Sequence, residues 1–161
     1  MPDEAMLPEK EEPLDPDVQR IRKSTYFRYE KPDVTSPKGT VKLAQTDILK
    51  TAVQIVRDGG GNNLHSHAVT DTCWMVLKGR ARFYGEDNEI IGEFGPYEGL
   101  TTPRGMAYWF ESAIEGEDLE LLQMAAKLRG EKDIRTNHNP RPVKMKKELQ
   151  RFSAKIDEPP K

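Results

Sequence analysis

Residues 60–79 read GGNNLHSHAVTDTCWMVLKG, and three features of that run bear on the fold. The glycines permit a tight or bulged turn. His65 and His67 then stand one residue apart, so on a strand both imidazoles leave by the same face and can meet one object from one side. Cys73-Trp74-Met75-Val76-Leu77 follows as a continuous apolar run, with Thr72, Trp74 and Val76 sharing a face by alternation. Lys78-Gly79 reads as a turn into Arg80-Ala81-Arg82-Phe83-Tyr84, which makes the two segments a hairpin.

The pattern continues in both directions. Upstream, Thr51–Val56 alternates with Val53 and Ile55 on one face. Downstream, Glu89–Phe94, Leu100–Thr102, Ala107–Phe110 and Leu119–Met124 are short apolar segments separated by Gly-Pro, Pro-Arg-Gly and similar turn signals. Roughly eight such strands between Val41 and Ala126 predict an all-β protein, two facing sheets closed into a jelly-roll barrel.

The histidine segment resembles the first conserved motif of the cupin superfamily, which runs from a glycine through H-x-H and a glutamate to a glycine. GPYEGLTTPRGMAYWF (residues 95–110) resembles the second, with its P-x-G at Pro103-Arg104-Gly105. The resemblance covers about half the chain and implies a double-stranded β-helix barrel, often dimeric, with a metal or substrate held inside. Two departures stand out. Counted from His67, the glutamate ligand of the family falls on Thr72, with Asp71 beside it; counted from Gly105, the family's second-motif histidine falls on Tyr108. A catalytic divalent ion takes three or more protein ligands, and a threonine hydroxyl replaces a carboxylate poorly. Asp71 faces away from Thr72 unless a bulge intervenes. What remains is a weakly held Fe, Mn, Ni or Zn ion on His65 and His67, with Tyr108 as a further donor, or no metal at all.

Without a full metal centre, His65, His67 and Tyr108 are candidates for acid–base catalysis on a small organic ligand, the imidazoles moving protons and the phenol donating to a developing oxygen. Thr72, Trp74, Phe110, Arg104 and Gln123 are candidate ligand contacts; Trp74, Phe83, Tyr84 and Phe110 equally suit the barrel core. Three readings remain open: an isomerase, cyclase, lyase or metal-dependent oxygenase; a non-catalytic ligand-binding or sensor cupin; and an interaction scaffold acting through charged arms.

Composition narrows the setting. The chain has 161 residues, 35% hydrophobic and 32% charged, which suits one domain. No run of about 20 apolar residues suggests a membrane span, and the acidic N-terminus is unlike a signal peptide, so the expectation is a cytoplasmic protein. One cysteine, Cys73, rules out an internal disulfide and is expected in the core. Residues 1–15 carry a net −5 and residues 126–161 a net +6. These expectations divide the chain into an N-terminal arm and docking segment (1–39), a barrel (40–126) and a basic tail (127–161). A short helical turn is expected around Val18–Lys23, and Tyr26, Phe27 and Tyr29 are expected to dock the arm onto the barrel or onto a neighbouring subunit. The tail has no interleaved aromatics, so nucleic-acid binding is not expected. The oppositely charged arms and an open barrel edge favour a homodimer.

Overall fold

Alternating burial on each strand decides how the sheets stack. The computed structural model describes residues 23–141 and 149–161. Its strands are β1 (Tyr26–Phe27), β2 (Lys38–Gln45), β3 (Leu49–Val56), β4 (His65–His67), β5 (Thr70–Lys78), β6 (Ala81–Tyr84), β7 (Ile90–Phe94), β8 (Gly99–Thr102), β9 (Trp109–Ser112), β10 (Leu119–Lys127), β11 (Arg135–Asn137), β12 (Leu149–Ser153) and β13 (Lys155–Ile156). A larger sheet runs β12-β2-β3-β10-β5-β8, and a smaller one runs β7-β6-β9. The β11-β4 pair extends the smaller sheet, because His65 and Tyr108 exchange backbone hydrogen bonds of 3.1 and 3.0 Å just before β9. Pairings are antiparallel except β12 with β2. No helix among the described residues is long and apolar enough to cross a membrane.

Between the sheets lies an aromatic core. Thr72, Trp74 and Val76 of β5 are buried, as the alternation predicts, and Trp74 and Val76 join Val56, Leu119 and Leu121 against Ala81, Phe83, Tyr108 and Phe110 of the smaller sheet. Trp74 and Phe83 each sit about 5 Å, centroid to centroid, from Phe110 (5.0 and 5.1 Å), within the range where tilted aromatic rings attract. Full burial of such a ring contributes about 2–3 kcal/mol. Part of the opposite face of the larger sheet, over β2 and β3, is buried as well. Val53 and Ile55 do share a face, but it is this outer one, where with Val41 and Leu43 they are covered by Val34 and Ala154 and flanked by Tyr29 and Phe152.

The structure corrects several sequence expectations. The segments around Lys78-Gly79 are not a hairpin: β5 pairs with β10 and β8, while β6 pairs with β7 and β9. Gly79 takes a φ of +88°, and a Cβ there would lie 2.8 Å from the Asp118 carbonyl oxygen. The chain uses that freedom to cross from one sheet to the other. Nor are residues 127–161 a detached basic tail, since β11 pairs with β4, β12 with β2 and β13 with β1. Val34, from the expected arm, is 1% exposed. Tyr29 docks as expected, its hydroxyl donating to Glu120 at 2.6 Å, whereas Phe27 stays largely exposed. Cys73 is exposed rather than in the core, because its neighbours Thr72 and Trp74 take the inward positions on β5. Most of the turn expected at Val18–Lys23 and most of NPRPVKMKK lie outside the described residues.

Candidate functional site

His65 and His67 reach the same cavity because β4 is extended and their side chains leave by one face. Their rings stand edge to face, 5.2 Å apart, and the Tyr108 ring lies 4.7 Å from that of His65. The cavity holds about 340 Å³, and its walls include these three residues, Trp74, Gln54, Gln123 and Asn63. The Gln54 amide nitrogen donates to Gln123 at 2.9 Å, which leaves the buried Gln54 carbonyl oxygen without a hydrogen-bond partner among the described residues. Such an atom suits a donor on a ligand.

Each imidazole is fixed through Nδ1. His65 Nδ1 lies 2.7 Å from the Asn63 carbonyl oxygen; a carbonyl only accepts, so Nδ1 carries the proton and Nε2 holds the lone pair. Burial drives the His65 pKa down to about 3. The Asn63 hydrogen bond opposes that shift, and the positive charges of Arg135 and Lys38 add to it. His65 is therefore a neutral hydrogen-bond acceptor at physiological pH. His67 Nδ1 lies 2.6 Å from Asp133 Oδ2. Burial pushes the Asp133 carboxyl up, but hydrogen bonds from His67 and from the Val69 N–H outweigh it and hold the group below its ordinary range. Burial also raises the Tyr108 phenol to about 12, so Tyr108 keeps its proton and can donate.

The cavity is cationic. Lys38, Lys50, Arg135 and Arg141 line it, and no Asp or Glu among the described residues does. Arg135 stands directly opposite His67 in the β4–β11 register and donates to Asn63 Oδ1 at 2.8 Å. A second cavity of about 590 Å³ adjoins the first at His67, Lys50 and Gln123 and is lined also by Thr72, Asp133 and Lys127.

The remaining candidate ligand contacts separate. Trp74 lines the first cavity and donates from Nε1 to Thr102 Oγ1 at 3.0 Å. Gln123 lines both cavities, and Thr72 the second. Phe110 is 0% exposed and belongs to the core, with the Lys38 ammonium 5.2 Å from its ring centroid. Arg104 points away from both cavities: Asp71 accepts from its backbone N–H at 2.8 Å and pairs with its guanidinium at 3.4 Å. Asp71 therefore does not turn inward. Sequence reasoning missed Asp133 and Arg135, although Asp133, Arg135 and Asn137 alternate as strand residues facing one side would.

The donor set does not fit a divalent metal. Among the described residues neither imidazole Nε2 has a hydrogen-bond partner, and holding a ligating histidine through Nδ1 is usual at metal sites. Among the described residues, however, no three His, Cys, Asp or Glu side chains converge, Thr72 offers no carboxylate, and Lys38 and Arg135 bring positive charge to the same walls.

Two facing sheets with these strand orders define a double-stranded β-helix protein. No protein-family model matches the sequence, and no curated protein matches it. Solved structures do match. KdgF from a Halomonas species is similar at a TM-score of 0.56 and 18% identity, over 67% of this chain and 97% of that one. A protein with a double-stranded β-helix domain from Klebsiella pneumoniae is similar at 0.53 and 13%, over 66% and 84%. A conserved Streptococcus pyogenes protein of unknown function gives 0.52 and 18%, over 66% and 98%. The fold these similarities show is the double-stranded β-helix.

Proposed function

We propose that this is a small-molecule cupin that binds a small organic anion and moves a proton on it without a resident metal. The observation carrying the proposal is the cavity wall itself, where four cationic side chains surround two imidazoles and a phenol, with Asp133 behind one imidazole. An anion is favoured because its charge offsets cations whose own burial is costly. With its tautomer fixed by Asp133, His67 presents Nε2 to take a proton from a carbon next to a carbonyl, and the carboxylate stabilises the imidazolium that forms. Tyr108 donates to the oxygen on which negative charge develops, with Arg135 nearby. His65 accepts a hydrogen bond from the ligand, and the Gln54 carbonyl oxygen offers a second acceptor.

Deuterium uptake tests this reading. Small oxo and hydroxy carboxylates and phosphate esters are incubated with the protein in D₂O and followed by NMR, with binding measured in parallel by calorimetry. We expect exchange at the carbon next to the carbonyl of at least one bound anion. It should fall by about 10²–10⁴ in His67→Ala and by an intermediate factor in Asp133→Asn, with binding retained in both. Anion binding without exchange or turnover would favour a sensor instead, a reading the same walls support. No anion binding at all would overturn the proposal.

A further inference from the structure

We infer that Lys38 is a nucleophilic amine that condenses with the carbonyl carbon of a small oxo acid in the first cavity to form an imine. The inference rests on the anion-binding reading of that cavity and adds a covalent step to it. Lys38 opens β2, where it lies opposite Val56 of β3 and Leu149 of β12. It is 8% exposed, and its side chain lines the same walls as His65 and Arg135. A buried lysine ordinarily has a carboxylate partner. Among the described residues none lies within ion-pair distance of Lys38; its ammonium sits over the Phe110 ring instead.

An amine so placed has a reason to shed its proton. Burial, followed by the positive charges of Arg135 and Arg141, lowers its pKa to about 8. At pH 7 roughly one Lys38 in ten is then the free amine, against fewer than one in a thousand for an ordinary lysine. Burial and neighbouring cations are the two devices that activate lysines for imine chemistry. The Phe110 ring works the other way by attracting the cation, and it would hold the protonated imine equally well.

The step balances without a redox partner. The Nζ lone pair attacks the carbonyl carbon and a C–N bond forms; the carbonyl oxygen takes up two protons and leaves as water, and the nitrogen ends as a protonated imine. The substrate carboxylate meets Arg135 and Arg141. The adjacent C–H becomes more acidic because the iminium accepts its electrons, which is the proton the proposed function assigns to His67.

The test is reductive trapping. The full chain is incubated with pyruvate or glyoxylate and cyanoborohydride, and adducts are located by intact mass and peptide mapping, with melting temperature recorded under the same anions. The expected result is one adduct per chain on Lys38, formed at least tenfold faster than on other lysines. Lys38→Arg, which keeps the charge, should lose the adduct, and the anion-induced rise in melting temperature is read on the wild-type chain. Anion-dependent stabilisation with adducts scattered over surface lysines would overturn the inference and leave the anion site standing. Neither stabilisation nor a Lys38 adduct would overturn both. The wild-type peptide map decides the matter even where Lys38→Arg folds poorly.

Discussion

Mild acid should destabilise the fold through one residue, His65. In the unfolded chain its imidazole titrates near the ordinary value of 6.5, and in the folded chain near 3. Between these values the unfolded state holds a proton that the folded state refuses, so stability is full above pH 6.5 and is lost as pH falls towards 3. The slope is about 1.4 kcal/mol per pH unit, and from pH 7 to pH 5 the His65 contribution is about 2 kcal/mol. Because the residue is only 3% exposed, little solvent screening reduces it. The assay is urea denaturation of the wild type and of His65→Gln at both pH values. Glutamine keeps an amide that can donate to the Asn63 carbonyl but cannot titrate. Carboxylates held low in the folded state, Asp133, Asp118 and Glu93, act in the same direction in both proteins and cancel in the comparison. The wild type should lose about 2 kcal/mol more than the variant. Equal losses would refute the reasoning, since the His65 ring would then have to accept a proton in place without cost.

Two further expectations concern the parts that sequence reading misplaced. Phe152 of β12 packs half-buried against the outer cluster that includes Val34, Val41 and Val53, so Phe152→Ala should cost about 2 kcal/mol by denaturant titration; a change near zero would mean that the C-terminal strands only decorate the sheet. Cys73 is exposed on the outer face of β5, so a thiol reagent should label the native chain within about tenfold of the rate in urea, and protection well beyond that would show the face to be covered.

What the sequence made legible was whatever alternation alone determines. His65 and His67 on one face, and Thr72, Trp74 and Val76 inward together, follow from a period of two and a turn before and after. Other features depend on partners distant in the chain. The Phe110 ring against which the Lys38 ammonium sits comes 72 residues later, and nothing in TSPKGT announces it. Arg104 stands in a turn, but Asp71, on the outward side of β5, draws it off the cavity. The Lys78-Gly79 pair has the look of a hairpin turn, yet the register of β10 against β5 takes the edge that β6 would have needed. Asp133 and Arg135 are hidden when residues 127–161 are seen only as a stretch of net positive charge. A count of alternation over Asp133-Ile134-Arg135-Thr136-Asn137 would have proposed a strand with three polar groups on one side.

The two departures from the cupin motif and the cations of the cavity are parts of one electrostatic argument. Replacing a carboxylate by Thr72 and an imidazole by Tyr108 removes the negative charge and one of the nitrogen donors that would hold a divalent ion. Removal alone would leave a weak metal site. Lys38 from β2 and Arg135 from β11 then bring in positive charge, which opposes a cation entering among them. Either change without the other would be unfavourable: Lys38 and Arg135 beside a bound metal would repel it, and the imidazole pair without the cations would have little to hold an anion. On the proposed function, they together keep the geometry of the histidine pair and reverse the sign of the charge it serves. The Nδ1 partners, the Asn63 carbonyl for His65 and the Asp133 carboxylate for His67, then separate the roles: one imidazole stays neutral and accepts, and the other is equipped to take up a proton.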